Sequence, residues 1–480
     1  MAHFFDLPDE IVQRIFELLL PSRVSLRNIG RLSRRFTNVT SPLLVREWAN
    51  RRGFISDPCI QRLALHLLRY PNLRKHVKIL DLNVLTPISL HVAVLNELNA
   101  ESLAALAEAA AQDVVLPPGL LSILCQQIRQ GCEDAIAVLV LAWSTKLTHL
   151  SITVEEGRDL MTLRFIKQAV CRLRDDTIET AELLPLSQVR HIVFRGPGSG
   201  RSVAMKYVTP FFHLPNIESL ETYGLRDGQF AQPDNSTMQG DQDDNYALPF
   251  PAGTSTVKDI IISQAQSLGD GFSPFISTSR ELRKLVILMD VHESFGSSPE
   301  QKDLARIIRK HKDSLKQLEL YISPERNQRN ACSVYPRLDY SSLLQKSFQH
   351  LSQVWRLSIA MTDLFELRTH ERVNPIRIAL GRIPPSIKHI KTRCPCFIDK
   401  WYLETMLIQP YFVGFIELLE QAGPEGRFRD LKVLDLSETF VNDPSSHYIS
   451  TIKLLGKSHG IQVLLHETLQ EPSDEDEDCS

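Results

Sequence analysis

The sequence predicts an α/β protein, with a small N-terminal helical module followed by a long array in which short strands alternate with helices. Three observations carry this expectation. The first helix holds more large apolar residues than a single face accommodates. Eleven short pieces between residues 77 and 465 repeat apolar residues at i, i+3 and often i+5. Helix-forming stretches such as SLAALAEAAAQ, PEQKDLARIIRKHKDSL and SSLLQKSFQHL separate those pieces.

The helical module opens with DLPDEIVQRIFELLL. Pro8 suits the first helical position, where its missing N–H costs nothing. Asp9 and Glu10 favour the positive end of the helix dipole. Ile11, Ile15 and Leu18 or Leu19 line one stripe, and Val12, Phe16 and Leu20 widen it. Such a helix is either buried deep in a large domain or shared between its own domain and a partner. After Pro21-Ser22, the stretch SLRNIGRLSRRFTNVTSPLLVREW reads as short helices. Leu26, Ile29 and Leu32 share one face, Phe36 and Val39 follow, and Ser41 caps a last turn with Leu43, Leu44 and Trp48. A bundle of roughly 45 residues leaves much of its surface uncovered, which favours the shared helix.

These residues resemble an F-box in the form common among fungal F-box proteins. The similarity spans roughly residues 4–48, a tenth of the chain. It rests on Leu7-Pro8, Glu10-Ile11, Ile15-Phe16, the Leu26 to Leu32 helix and Ser33-Arg34-Arg35-Phe36 before Leu43-Leu44. In that family the module binds a Skp-type adaptor, which links it to a cullin. The resemblance therefore implies adaptor contacts at Leu7, Pro8, Ile11, Ile15, Leu19, Leu26 and Leu43, and internal packing for Phe16, Leu32 and Phe36.

The eleven pieces run VKILDL (77–82), LTHLSI (147–152), VRHIVF (189–194), IESL (217–220), VKDIII (257–262), LRKLVI (282–287), LKQLEL (315–320), VWRLSI (354–359), IKHI (387–390), LKVLDL (431–436) and IQVLL (461–465). Strand-then-helix units at this pitch suggest stacked repeats with a parallel sheet. They resemble an irregular leucine-rich-repeat array, although the starting points lie 25 to 70 residues apart and the buried Asn of that repeat is not regularly placed. A generic alternating α/β domain is the competing expectation.

The domain plan is an F-box at 1–56, a helical linker at 57–75, a leucine-rich-repeat-like α/β solenoid at 76–470 with a polar loop insertion at 227–255, and an acidic disordered tail at 471–480. Residues 1–56 hold nine Arg, no Lys and five acidic residues, whereas the tail EPSDEDEDCS holds six acidic residues and no base. The net charge of −3 gives no general case for nucleic acid or an anionic membrane. Eight cysteines in 480 residues form no dense disulfide framework and suit a reducing compartment. No secretory signal is visible, and the longest apolar run, AIAVLVLAW, is too short to span a bilayer. Cytoplasm or nucleus is the expected location.

Chemical motifs are sparse. Gly196 to Ser202 follows a strand, but Gly196 and Gly200 are too close for a phosphate-binding loop and Arg201 stands where Lys belongs. Cys394 and Cys396 lack a second pair, and His370 and His389 lack metal spacing, so no metal is expected. Arg27, Arg31, Arg34 and Arg35 suit a solvated face that meets an acidic partner better than a helix-turn-helix on DNA. Trp355, Trp401, Tyr402, Tyr411 and Phe412 are candidate interface anchors. Ser473 before DEDED suits an acid-directed kinase.

The expected function is the substrate-recognition subunit of an SCF-type cullin-RING ubiquitin ligase. It is non-catalytic, uses no cofactor, and acts by holding a protein target close to a charged conjugating enzyme. The residues that bind the target are not readable. Two other readings stay open: a scaffold that binds the adaptor without forming a ligase, and a nucleotide-dependent enzyme using the Gly196–Ser202 loop.

Overall fold

The computed structural model describes residues 7–19, 23–49, 60–84, 100–154, 160–175, 184–196, 203–226, 248–249, 251, 253–265, 272–289, 301–322, 348, 350–367, 376–393, 409–440 and 446–466. The fold is mixed α/β, with twelve strands in parallel ladders among these residues. The chain divides into two compact units, Met1–Val257 with Thr278–Arg280, and Lys258–Ser277 with Glu281–Ser480.

The first unit begins with helices α1 (Asp9–Glu17), α2 (Arg23–Gly30) and α3 (Arg34–Arg46). Pro8 lies just before α1, and its carbonyl accepts the Ile11 and Val12 N–H groups, both at 3.1 Å. Ser33 caps α3 by accepting the Phe36 N–H at 3.1 Å, a standard answer to an orphan donor. The helix then runs unbroken past Pro42. The separate last turn expected at Ser41 does not form. The Ser41 hydroxyl instead donates back to the Thr37 carbonyl within α3, and Trp48 belongs to a strand.

That strand, β1 (Glu47–Ala49), pairs in parallel with β2 (Ile79–Val84) and adds a twelfth strand to the eleven expected. Next come β3 (His149–Thr153), β4 (His191–Arg195) and β5 (Ser219–Tyr223), each paired with its predecessor. Leu80, Leu150, Ile192 and Leu220 stand in one buried row. The neighbouring positions are half-exposed, so one face of the ladder is covered and the other is not.

The stretch expected as a linker contains α4 (Ile60–Arg69), an integral core helix. Ile60, Leu63, Ala64 and Leu67 are buried, a stripe that a linker does not need. The long gap before β3 holds α5 (Ala100–Asp113), α6 (Pro118–Arg129) and α7 (Glu133–Trp143). The apolar run AIAVLVLAW lies in α7, which is buried almost throughout. After β3 comes α8 (Met161–Leu173), whose preceding Leu160 has no capping side chain. The buried Asp134 of α7 takes that role, accepting the Thr162 N–H at 3.2 Å.

The second unit repeats the pattern over β6 (Asp259–Ala265), β7 (Lys284–Met289), β8 (Gln317–Ile322), β9 (Arg356–Ala360), β10 (His389–Arg393), β11 (Val433–Glu438) and β12 (Gln462–Leu464). Each pairs in parallel with the next. Ile260, Leu285, Leu318, Leu357, Ile390, Leu434 and Val463 form a continuous aliphatic row. Strand order follows chain order within each unit, so every connection is a crossover in one direction. Successive crossovers of one hand bring the intervening segments onto the same face of a ladder; on the opposite face of this one Val286, Ser358 and Asp435 are buried too. Helices α9 (Phe272–Ser277), α10 (Gln301–Lys310), α11 (Gln409–Glu420) and α12 (His447–Ser458) are the longer helical connections described here.

All eleven apolar pieces are strands, each strand starting one or two residues into its piece. Most of the 227–255 insertion and the whole 471–480 tail lie outside the described residues.

Candidate functional site

The first helix carries two apolar stripes with different fates. Val12 and Phe16 are buried and Leu19 packs beside them in a core with Leu26, Phe36 and Leu43. Phe16 meets Phe36 edge to face, with ring centroids 5.5 Å apart. The second stripe sits one residue earlier, about 100° around the helix. There Ile11 is 47% exposed, Ile15 is half-buried and Leu18 is 80% exposed.

Salt bridges fix this helix at both ends. Arg35 Nε donates to Asp9 Oδ1 at 2.7 Å, and its Nη2 donates to the Leu7 carbonyl. Arg46 Nη1 donates to Glu17 Oε1 at 3.2 Å. Two of the basic residues of α3 thus hold α1 in place, while Arg27, Arg31 and Arg34 are exposed.

The expected adaptor residues separate into three groups. Pro8 and Ile11 are exposed, and Leu7, Ile15 and Leu19 are half-buried. Leu26 and Leu43 are 0% and 3% exposed, so their side chains belong to the core and offer nothing to a partner. Leu32, expected inside, is 73% exposed. Helix α2 ends at Gly30, and the turn made by Arg31 N–H to Asn28 and Leu32 N–H to Ile29 turns Leu32 outward. Val24, 70% exposed, had no assigned role. Its position two residues before Leu26 was the available signal.

The half-exposed strand faces form a second group of candidates. In the first unit Arg195 on β4 reaches back across β3, donating to Ser151 Oγ at 3.0 Å and lying 3.7 Å from Asp81 on β2. Its guanidinium is 5.7 Å from the Tyr223 ring centroid. His149 and His191 stack nearby on β3 and β4, with centroids 4.3 Å apart. Burial, then the His191 charge, holds His149 below the usual histidine range. In the second unit Arg393 on β10 reaches across β9 to Glu319 on β8 at 2.7 Å, and its Nε lies 2.8 Å from Glu438 Oε2. Lys391 pairs with Glu438 and lies 3.9 Å from Asp435.

Other candidates have less to offer. Tyr411 is buried against Phe365 and is a packing residue of α11, while Phe412 is half-buried and stacks on Phe440 and Tyr448. Trp355 is half-buried; Trp401 and Tyr402 lie outside the described residues. The same holds for residues 197–202 of the glycine-rich loop, for Cys394 and Cys396, for His370 and for Ser473. A cleft of about 340 Å³ in the first unit is lined by Arg174, Phe212, His213, Pro249 and Pro251. Thr254, Ser255 and Thr256 line it as well, but the His213 ring bonds the Pro249 carbonyl at 2.8 Å and the Thr256 hydroxyl donates to the Ile217 carbonyl at 2.7 Å. Among the described residues no cluster of His, Cys, Asp or Glu is grouped to hold a metal, and no helix is long and apolar enough to cross a membrane.

Compared with known proteins, the chain matches no family model and no curated sequence.

Proposed function

We propose that the chain is an F-box receptor: the exposed stripe of α1 docks a Skp-type adaptor, and the strand ladders, read as an irregular leucine-rich-repeat solenoid, hold a protein target for a cullin-based ubiquitin ligase. The observation that carries this reading is the division of α1 into a packed stripe and an exposed one. Val12 and Phe16 fill the helical core, while Ile11 and Leu18 face outward with Val24 and Leu32 also uncovered. A small helical module has no structural need for these outward apolar residues, whose natural use is contact with a partner. Exposed Arg27, Arg31 and Arg34 suit an acidic partner surface. In the target-binding half, strand order following chain order supports the solenoid.

The test is co-purification of the adaptor with the native chain, with Leu7→Ala/Pro8→Ala, with Ile11→Asp and with Leu18→Asp. Both aspartates replace exposed residues, so the fold survives while a desolvated carboxylate opposes docking by several kcal/mol, roughly. Adaptor retained by the native chain and lost from folded Ile11→Asp and Leu18→Asp supports the proposal. Adaptor absent from a folded native chain ends it. Adaptor present without cullin turns the reading into the scaffold.

A further inference from the structure

In the second unit, the residue immediately before a strand is usually a cation. Lys258, Arg283, Lys316, Lys388 and Lys432 precede β6, β7, β8, β10 and β11, and Trp355 precedes β9. The backbone sets these six side by side. The Lys258 carbonyl accepts the Arg283 N–H at 2.7 Å, and the Arg283 carbonyl accepts that of Lys316 at 2.8 Å. The Lys316 carbonyl accepts that of Trp355 at 3.0 Å, the Trp355 carbonyl that of Lys388 at 2.8 Å, and the Lys388 carbonyl that of Lys432 at 2.8 Å. The result is a row with one residue per strand, about 4.8 Å apart and roughly 24 Å along the ladder.

Arg283 pairs with Glu281 at 3.0 Å. Lys316, Lys388 and Lys432 are exposed, and among the described residues their side chains make no ion pair or hydrogen bond. Taken with the positions two before and one after, the row contains seven cations, Lys284 and Arg356 included, against the carboxylates Asp259, Glu281 and Asp430. The repeat itself does not demand this. The corresponding residues before β2 to β5 are Lys78, Thr148, Arg190 and Glu218, and the whole chain is net negative.

We propose that this row docks an extended acidic segment of a protein target, lying across the strand entries. The proposal rests on the target-binding half of the receptor reading and names the class of target it takes. An extended chain advances about 3.3 Å per residue, so roughly eight residues cover the row. Lysines on flexible stems adapt to carboxylates that do not match the strand spacing. A single-stranded nucleic acid fits less well: it draws on aromatic platforms at successive positions, and this row has one aromatic, Trp355, with carboxylates among its cations.

The experiment is fluorescence anisotropy of the full chain with a labelled decapeptide of alternating Asp and Glu. Saturable binding is expected, weakened about tenfold or more by Lys316→Glu/Lys388→Glu/Lys432→Glu. The same charge change at exposed first-unit positions, Lys75→Glu/Arg129→Glu/Lys146→Glu, is expected to leave affinity within about twofold. Circular dichroism verifies that each variant is folded. No binding by the native chain, or equal losses in both triple variants, overturns the proposal. An oligothymidine that binds more tightly than the peptide, and is lost from the first variant, overturns it in favour of nucleic acid. Adaptor co-purification is run on the same variants. Peptide binding retained by a chain that captures no adaptor upholds the acidic-segment row and removes only the ligase reading.

Discussion

The two units use one strand architecture to present different surfaces. Of the eight large apolar side chains that stand exposed among the described residues, seven are in the first unit, from Ile11 to Ile123, and only Leu454 is in the second. The second unit instead concentrates charge, in the row before its strands and in the Arg393, Lys391, Glu319 and Glu438 group. The difference follows from which positions the ladder constrains. Inward residues must be aliphatic to cover the core, while outward residues and those before the strand contribute little to folding. Those free positions can take on binding roles, and the two units have filled them differently.

The arginine clasps show the same contrast at higher resolution. In both units an arginine lies two residues beyond a serine-bearing row, and reaches over one strand to a carboxylate two strands away. Arg195 bonds Ser151 directly, and its contact with Asp81 is long and open to solvent, with side chains 40% and 35% exposed. Arg393 pairs with Glu319 at 2.7 Å, where the side chains are 19% and 21% exposed. The hydroxyl of Ser358, the serine equivalent to Ser151, is buried without a hydrogen-bond partner. The second clasp is thus the drier one.

Separating the units energetically is the strongest way to sharpen the comparison. Phe36→Ala removes the ring packed on Phe16 and is expected to cost about 3–5 kcal/mol within the helical core. Hydrogen exchange should show α1 to α3 losing protection while the β8 to β10 amides keep theirs. Equal loss in both sets would mean that the units do not open independently.

Acidification tests the second unit from inside. Burial, and secondarily the Lys310 charge, lowers the His311 pKa to about 4. The folded value lies below the unfolded value near 6.5, so the unfolded chain binds the proton first as pH falls. His311 therefore contributes no penalty above about pH 6.5, and stability is lost between there and about pH 4, amounting to roughly 3 kcal/mol at the lower end. His311→Gln should remove most of this slope, read from urea midpoints at pH 7 and pH 4.5 with probes in the second unit. An unchanged slope would mean that other groups set the acid sensitivity.

The clasps give a smaller effect. Arg393→Ala takes the cation from Glu319 in a half-dry site, while Glu438 keeps Lys391, at an expected cost of about 2 kcal/mol in local exchange free energy. Arg195→Ala, with solvent already present, is expected to cost about 0.5–1 kcal/mol. Equal losses would abolish the distinction between a dry and a wet clasp.

Much of the ladder was legible in the sequence because its pattern is local. The first apolar residue of each piece closes the turn before the strand, and those three and five positions on face inward, as Leu315, Leu318 and Leu320 do. β1 was missed because Glu47–Ala49 contains no such pattern and forms only against β2. Leu32 was misplaced because its spacing continues the helical face, while the chain leaves the helix at Gly30, where a Cβ would lie 2.6 Å from Thr40 Oγ1. The clasps were not legible at all. Arg195 and Asp81 are far apart in sequence, and only strand register brings them together. The cation row was readable throughout as the second residue of VK, LR, LK, IK and LK, but it acquires meaning only once those residues stand side by side.

The smallest expected effect bears most directly on the first unit's apolar surface. Leu18→Ser and Leu32→Ser change residues that are 80% and 73% exposed, so each should alter stability by no more than about 0.5 kcal/mol. Val12→Ser, one helical stripe away and fully buried, removes apolar packing and places a hydroxyl in the core, with an expected cost of about 2–3 kcal/mol. The measurement is the thermal midpoint of the three variants beside the native chain. A large loss at Leu18 would show that its stripe is covered by the protein itself, leaving no apolar face for an adaptor. A small loss at Leu18 and Leu32 with a large one at Val12 means that these leucines are nearly dispensable for folding. In that case the stripe is free to contact another molecule without cost to the fold.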